Sequence, residues 1–584
     1  MFGRRTHWLT TVNSLPQVTD FIAVDTETRN EHGKVEAGRH RLHFGVYIAR
    51  VNGVRQHLAS FTYAREFWRR TDRLCRKRLI VYAHNWNFDG AILSVPTLLE
   101  FGWKCVTYIN DGVPPVIVEF RKGKRVLLLI DTLNYFRNSL DVLGESLGLP
   151  KLEMPQNDSA VDWYKYASRD VEIVYEAIVK LEEFAKHIGL DGLPYTIGSM
   201  AFAYWRNMLG NPIQIHSHTT TLDLERFSYK GGRSESFRRG VVSTDLFYLD
   251  VNSMYPYLMS VTPVPTRLDN YYQSASPLAF MEALDSPNLS LVADVTLRTD
   301  REAYGVILDG RLTFPVGRFR GVFTKPELEY AYDNDHIYTV HSFATYEAAR
   351  PFSEYVSTLY PMRAEYKADG NIAFEYFVKI MLNSLYGKLG QRNAEWQEID
   401  ILPTEMRYID IDGVIYTVRN VMGAMQVQTP RGEAYNSFPA IAATITGAGR
   451  ILLWNLIEKA QAHGGTVFYC DTDSLVVDRK GYEALKDLEG SELGMLKLEG
   501  TFTRGQFYAA KDYYLDNKAK IKGVRKAVPG VRQYRQLQFA SWHKYLLAGE
   551  TGYIDISYIN KNISGTNTKR IADTGSCTTP RRMV

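Results

Sequence analysis

The chain is poor in cysteine: four in 584 residues, Cys75, Cys105, Cys470 and Cys577, with no CxxC or Cys/His cluster among them. This argues against a zinc site and a disulfide framework, and for a reducing compartment; the expected location is cytoplasmic, the host cytoplasm if a phage encodes the chain. No apolar run reads as long enough to cross a bilayer, and the opening MFGRRTHWLTTV lacks the apolar core of a signal peptide, so no membrane partner is expected. Strong net charge is missing too. The 69 Lys and Arg against 65 Asp and Glu leave +4, which permits a nucleic-acid partner without identifying one. What remains is 45% apolar and 23% charged residues, a globular composition in a chain too long for one core, implying about three to five units.

One stretch stands out, YCDTDSLVV, Tyr469 to Val477. Val467 and Phe468 lead in and Leu475 to Val477 lead out, so strand, tight turn and second strand are expected. Asp471 and Asp473 are two apart and can project to one side. Two anions about 4 Å apart repel by roughly 4 kcal/mol at an effective dielectric near 20, so the pair needs a proton or a cation, and a divalent metal is the expected one. Turn chemistry alone also produces Asp-Thr-Asp-Ser. The rest of the chain has to decide.

The first third holds further acids. Phe21 to Val24 reads as a buried strand with Asp25 and Glu27 at its end; His43 to Val51, Arg78 to Tyr82 and Arg125 to Ile130 read as further strands. HNWNFDGAIL follows the third, with Asn85, Phe88 and Asp89, and Thr132 and Leu133 follow the fourth. In YKYASRDVEIVYEAIVKLEEF, Val171, Val174, Ile178, Leu181 and Phe184 form a helical stripe, and Tyr166 and Asp170 lie four apart on one face. Asp-x-Glu, Asn-x-x-Phe-Asp and Tyr-x-x-x-Asp in this order resemble the motifs of the DEDDy 3′-to-5′ exonucleases, which have a ribonuclease-H-like fold. The resemblance implies that Asp25, Glu27, Asp89 and Asp170 hold two Mg²⁺ ions, that Tyr166 orients the attacking water, and that Asn85, Phe88, Thr132 and Leu133 grip a single-stranded end. The lysine that often assists such sites has Lys151 as a loosely placed candidate.

Three more segments follow. FYLDVNSMYPYLMS puts Asp250 after a strand and before Ser253 and Tyr255. VKIMLNSLYGKLGQ places Lys379, Asn383 and Tyr386 on one stripe of a helix ending near Gly387. YCDTDS is the third. Together they resemble motifs A, B and C of family B DNA polymerases. The resemblance implies a right-hand polymerase of palm, fingers and thumb, with Asp250, Val251 and Asp473 holding two Mg²⁺ ions (Mn²⁺ being the alternative cation) and Asp471 a supporting acid. It further implies Lys379 and Lys367 as cations for the dNTP phosphates, Tyr255 as a steric gate against ribonucleotides, and Tyr386 and Gly387 beside the nascent base pair. Tyr229, Gly231 and Gly232 resemble the family's YxGG linker; Thr446 and Arg450 resemble its template-binding Tx2GR motif, and Lys511 and Tyr513 its primer-strand KxY motif. Beyond them lies a basic run, Lys518, Lys520, Lys522, Arg525, Lys526, Arg532 and Arg535, expected to face DNA.

Asp250 and Asn383 are farther apart than a palm segment and two finger helices need, and the excess contains strand-like runs such as LSLVADVTL and HIYTVHSF; Asn383 to Thr446 contains EWQEIDIL, MRYIDID and GVIYTV. Two such insertions resemble the terminal-protein regions of the protein-primed subgroup of phages and linear plasmids. The expected architecture is therefore α/β and α+β multidomain: exonuclease 1–195, linker and first palm part 196–265, first insertion 266–355, fingers 356–390, second insertion 391–432, palm 433–525, thumb and tail 526–584. A monomer is expected, with primer-template DNA, single-stranded DNA, dNTPs and a terminal protein as partners, proofreading, and strand displacement. An ordinary oligonucleotide-primed family B enzyme and a stand-alone exonuclease with an inactive second half are the rival readings.

Overall fold

Phe21 to Val24 are apolar on both faces, and the computed structural model shows the cause: strand β1 (Phe21–Asn30) lies inside a sheet between antiparallel β2 (Gly38–Val51) and parallel β3 (Arg78–Ala83). A strand covered on both faces needs no polar alternation. The described residues are 4–583 apart from 13, 31–36, 158, 275, 394, 400–406, 412, 430–431, 525–526, 548–550, 566–568 and 573–575; Arg525, Lys526 and part of the second insertion thus lie outside them. β1 runs on to Asn30, paired with His40, so Asp25 and Glu27 stand within the strand and not after its end. Helix α1 (Trp86–Ile92), strands β4 (Lys104–Ile109), β5 (Ile117–Lys122) and β6 (Arg125–Asp131) and helix α2 (Ala160–His187) complete this unit. Ser159 caps α2 by accepting the Asp162 N–H. Val171, Val174, Ile178 and Leu181 are fully buried in the core that α2 forms with the sheet.

Strands β7 (Ser234–Ser236) and β8 (Gly240–Val251) lead into α3 (Met254–Val261). The first insertion follows as β9 (Val264–Tyr272), β10 (Leu289–Thr299), β11 (Val316–Thr324), α4 (Lys325–Asp333) and β12 (Ile337–Ala349), its strands in the order β9-β12-β10-β11. Helices α5 (Ser353–Ala368) and α6 (Ile372–Leu389) form a hairpin about Gly370, whose φ of +70° suits glycine, and Asn371 caps α6 by accepting the Phe374 N–H. α6 ends two residues past Gly387, near it as expected. It carries on to Leu389 because Gly390 supplies the cap, its N–H reaching the Tyr386 and Gly387 carbonyls.

The second insertion is a four-stranded sheet of β13 (Trp396–Glu398), β14 (Tyr408–Ile411), β15 (Val414–Val421) and β16 (Ala424–Gln428), in the order β13-β16-β15-β14. Helix α7 (Pro439–Ala462) corrects another expectation: by length and composition it is apolar enough to cross a membrane. Most of it is instead buried inside the protein, which accounts for its apolar character. Strands β17 (Val467–Asp471), β18 (Ser474–Val477), β19 (Leu496–Ala509), β20 (Asp512–Leu515) and β21 (Lys518–Ile521) then join β7 and β8 in a seven-stranded sheet ordered β7-β17-β18-β8-β19-β20-β21.

The last segment was read as thumb and tail, yet it returns to both earlier units. β22 (Gln533–Phe539), α8 (Trp542–Leu547) and β23 (Tyr553–Asn562) form a hairpin whose β23 pairs with β2, Gly38↔Ile556 to Arg41↔Tyr553. The N-terminal sheet therefore runs β22-β23-β2-β1-β3-β6-β5-β4. Trp542 is fully buried against α1; a Cβ on Gly90 would sit 2.5 Å from its ring, so only glycine admits it. Beyond, β24 (Arg582–Met583) pairs in parallel with β11. Truncating Trp542 to Ala empties this contact and should cost about 3–5 kcal/mol. A fall in the urea midpoint followed by circular dichroism checks it, with Gly90→Ala, which forces the same contact apart, expected to fall in the same direction.

Candidate active site: two carboxylate clusters

In the N-terminal unit, the β1–β2 pairing fixes Asp25 and Glu27 two residues apart on β1, and α2 delivers Asp170 from above. Ligand oxygens of Asp25, Glu27 and Asp170 lie within 4.8 Å of one another. Asp89, on α1, is buried next to them and accepts a 2.7 Å hydrogen bond from the Thr26 hydroxyl. Burial pushes the Asp25 carboxyl well above its ordinary range, with the charges of Asp89, Glu27 and Asp170 adding to it. Burial and Asp170 raise Glu27 to about 8, and burial raises Asp89 to about 7. Lys151 is the cation that answers them: its ammonium pairs with Asp170 Oδ2 and lies 4.5 Å from the Tyr166 ring centre. The loosely placed candidate is thus in the cluster.

Asp170 Oδ1 is buried without a hydrogen-bond partner. An orphan carboxylate oxygen among crowded carboxylates, all hard oxygen donors, fits Mg²⁺.

Around the cluster, Asn85 and Phe88 are half-buried, and Phe88 meets Phe539 edge to face at 5.5 Å. Leu133 is half-buried as well. Thr132 departs from expectation: it is fully buried, and its hydroxyl is engaged by His84 Nδ1 at 2.8 Å and donates to the Ala83 carbonyl. No side-chain hydrogen bond to a nucleic acid is left to it. Sequence reasoning missed Asp131, whose carboxylate accepts from the backbone N–H groups of Asn85, Trp86 and Leu133. It holds Asn85 at φ +84°, and its place at a strand end before Thr132 was the available signal.

The second cluster is built by the β8–β18 pairing, which sets Asp250 against Ser474 and lets Val251 N–H donate to the Asp473 carbonyl at 2.8 Å. Asp250 and Asp473 are thereby neighbours. Burial, then Asp473, then Glu499 raise Asp250 to about 7, and burial raises Asp473 too. The cation bearing on both is Lys379, exposed on α6. Two carboxylates and a backbone carbonyl again make a hard oxygen set.

Asp471 was expected on the same side as Asp473 as a supporting acid; its charge does act on Asp473, raising it, but its own carboxylate is taken up by a lysine. Asp471 ends β17, whereas Thr472, at φ +65°, and Asp473 form the turn, so strand alternation does not carry across. Asp471 is neutralised instead by Lys511, whose ammonium donates to both carboxylate oxygens at 2.7 and 2.8 Å. In this state the Lys511 ammonium is engaged by Asp471, while much of its side chain stays exposed. Its companion Tyr513 is buried against Tyr469, rings 4.5 Å apart.

The Tx2GR motif needs the largest correction. Arg450 is buried, its guanidinium bound to Glu327 at 2.8 and 3.0 Å and to the Lys230 and Gly231 carbonyls. Thr446 is buried as well, its hydroxyl on the Ala443 carbonyl, and the motif lies inside α7, where backbone N–H groups are used by the helix. Its glycines serve packing. A Cβ at Gly449 would press on Met254 and Tyr255, and one at Gly447 on Thr324. Gly232 likewise leaves room for Thr472 and the Tyr255 hydroxyl, while Gly231 faces open space and the Tyr229 ring covers Gly390. Tyr255 and Tyr386 rings meet 4.9 Å apart. Asn383 donates to the Lys379 carbonyl, and Gly387 has open space where a Cβ would point. Lys367 stays exposed on α5; Arg363, one turn earlier and missed from sequence, reaches the Ser253 hydroxyl at 3.0 Å. Its spacing of four from Lys367 was the signal.

The family model for DNA polymerase type B, organellar and viral, matches residues 150–422. A probable DNA polymerase of Podospora anserina is 24% identical over 74% of this chain and 39% of its own length, and the DNA-directed DNA polymerase of Enterobacteria phage PRD1 is 28% identical over 50% and 51%. The chain thus spans about two fifths to one half of these relatives. The solved structure of Phi29 DNA polymerase complexed with primer-template DNA and incoming nucleotide substrates matches with a TM-score of 0.69 and 16% identity, covering 94% of this chain and 100% of that one. The fold is that of an exonuclease unit joined to palm, fingers and thumb. Residues 150–422 are thus similar to the type B DNA polymerases of the organellar and viral group, and the fold is similar to that of Phi29 DNA polymerase.

Raised carboxyl pKa values mean that the folded protein keeps protons which the unfolded chain releases near pH 4. The stability this lends is complete below that pH and is lost as pH rises through the folded values, about 7 for Asp89 and about 8 for Glu27. Metal-free protein should lose thermal stability across that window, and Mg²⁺ should raise Tm more at about pH 8.5 than at about pH 5.5. Equal gains at both would show that the acids take no ion. For Arg450→Met, the slope of log Kd against log salt on DNA should not change, whereas loss of a phosphate contact would lower it by about one. Arg450→Ala, which strands Glu327, should cost about 3–5 kcal/mol in urea denaturation.

Proposed function

We propose that the chain is a DNA-directed DNA polymerase that adds dNMPs to a primer, proofreads with its N-terminal 3′-to-5′ exonuclease centre, initiates on a terminal protein and displaces the strand ahead. The observation that carries this reading is the β8–β18 register that makes Asp250 and Asp473 neighbours, with Lys379 facing them. The Phi29 complex with primer-template DNA and nucleotide supports the same substrates here.

Asp250, Asp473 and the Val251 carbonyl would hold Mg²⁺ in the palm, and Asp25, Glu27, Asp89 and Asp170 would hold it in the exonuclease unit. Bound there, the ions supply charge neutralisation for phosphates and acidify the attacking hydroxyl or water. The protein's own groups do the rest. Lys379 presents an exposed ammonium to the triphosphate, and Arg363 adds a guanidinium that already reaches motif A. Tyr255, backed by Tyr386 and confined by Gly232 and Gly449, lies too firmly to yield to a 2′-hydroxyl, so ribonucleotides are excluded. Asn383 and Gly387 border the space for the base pair.

In the exonuclease centre, Lys151 links Asp170 to Tyr166 and sets the phenol where it can orient the water. Asn85, Phe88 and Leu133 flank the path of a single-stranded end. The insertions, 264–349 and 396–428, each built around a sheet, support terminal-protein and DNA-encircling roles. We further read the protein as a monomer in the host cytoplasm.

Asp473→Asn should lower primer extension by on the order of 10³-fold while single-strand degradation survives, and Asp25→Ala should do the reverse. If Asp473→Asn left extension intact, the polymerase centre would lie elsewhere. Loss of both activities in either variant would count against two separate centres. Covalent labelling of a candidate terminal protein by dNTP without oligonucleotide tests the priming step.

A further inference from the structure

The edge of the palm sheet beside motif C is not bare. β7 is an end strand there, pairing on one side with β17 in the register Ser234↔Asp471. Unpaired carbonyls on an edge strand need donors. They come from the end of the chain: Lys569 Nζ donates to the Ser234 carbonyl at 3.0 Å and the Thr578 hydroxyl to the Ser236 carbonyl at 2.8 Å. Thr578 N–H adds a bond to the Phe237 carbonyl and Arg239 N–H one to the Ser576 carbonyl.

Arg570 clamps this segment. It is buried, donates to the Thr578 hydroxyl and carbonyl at 2.9 and 3.0 Å, and pairs with Glu302 of the first insertion. Glu302 also binds Arg233, which binds Glu235 on β7 at 2.7 Å. Arg233 in turn offers its carbonyl to the N–H of Thr472, 2.6 Å away, the left-handed residue of the motif C turn. A continuous chain of bonds therefore runs from Arg570 to the residue preceding Asp473.

We infer that residues 569–572 and 576–579 act as a strap that positions the motif C turn, with Arg570 as a positioning residue for polymerisation. The inference rests on the polymerase reading above. A catalytic carboxylate held on a two-residue turn is sensitive to small displacements, and about 1 Å of misplacement can cost on the order of 10²-fold in rate. The exonuclease acids lie on β1, α1 and α2, whereas the strap's bonds cited above run to β7, the residues beside it and Glu302.

The test uses the full chain with Mg²⁺, on primed template and on single strands, for Arg570→Ala, Arg570→Lys and Thr578→Val. Expected for Arg570→Ala is a fall in kcat for dNMP addition of about tenfold or more, with KM for dNTP, Kd for primer-template and the exonuclease rate within about twofold. Arg570→Lys should recover most of kcat. Thr578→Val, which removes one hydroxyl, should lower kcat by about threefold and serves if Arg570→Ala does not fold. Unchanged kcat in these variants overturns the inference, as does a joint loss of both activities or a loss residing in DNA affinity. An unsubstituted chain that degrades single strands but adds no nucleotide removes the polymerase reading itself.

Discussion

Negative charge taken out of water is the constraint around which this chain is arranged. Buried carboxylates are tolerable only beside a cation or a proton, and the protein gives most of its own acids one. Asp471 has Lys511, Glu327 has Arg450, Glu235 has Arg233, and Glu302 has Arg233 and Arg570. Two groups are left short. Asp25, Glu27, Asp89 and Asp170 crowd together with Lys151 paired to Asp170 and Arg169 bearing on Asp170, and Asp250 and Asp473 make no ion pair among the described residues, Lys379 bearing on both. These two crowded carboxylate groups are the places among the described acids where a divalent ion would best complete the balance.

Much of this was legible in the sequence, because the acids sit on local features that leave a local trace. Asp25 and Glu27 follow an apolar strand start, Tyr166 and Asp170 are one helical turn apart, and Asp473 stands between two β-branched runs. What failed was inference about surroundings. Asp471 was counted onto the same side as Asp473 by strand alternation, which a left-handed Thr472 interrupts. Arg450 was read as a DNA contact from its resemblance to the Tx2GR motif; the motif's glycines in fact admit neighbouring side chains and the arginine is buried. Thr132, likewise assigned from a resemblance, is fully buried. The apolar length of α7 was overlooked since the helix carries Arg450 within it, and the attachment of β23 to β2 could not be seen because no local pattern encodes a partner so remote.

The two centres are joined through structure that neither motif set describes. α8 seats Trp542 on α1, the helix carrying Asp89, while the segment after β23 reaches the palm edge behind motif C. Phe539 on β22 touches Phe88 beside the exonuclease acids. The C-terminal region is therefore a tie between units as much as a thumb, and its buried Arg570 and Trp542 explain why it holds its place without a recognisable motif.

The same tie affects how the molecule comes into being. Residues Gly38 to Arg41 leave a ribosome early, but the strand that completes their edge, Tyr553 to Ile556, is made more than five hundred residues later. At roughly 5–20 residues per second that is a wait of about 25–100 s, during which an open strand edge is available to other nascent chains. The arginines Arg39 and Arg41, lying on that waiting segment, give it the charge that discourages premature pairing.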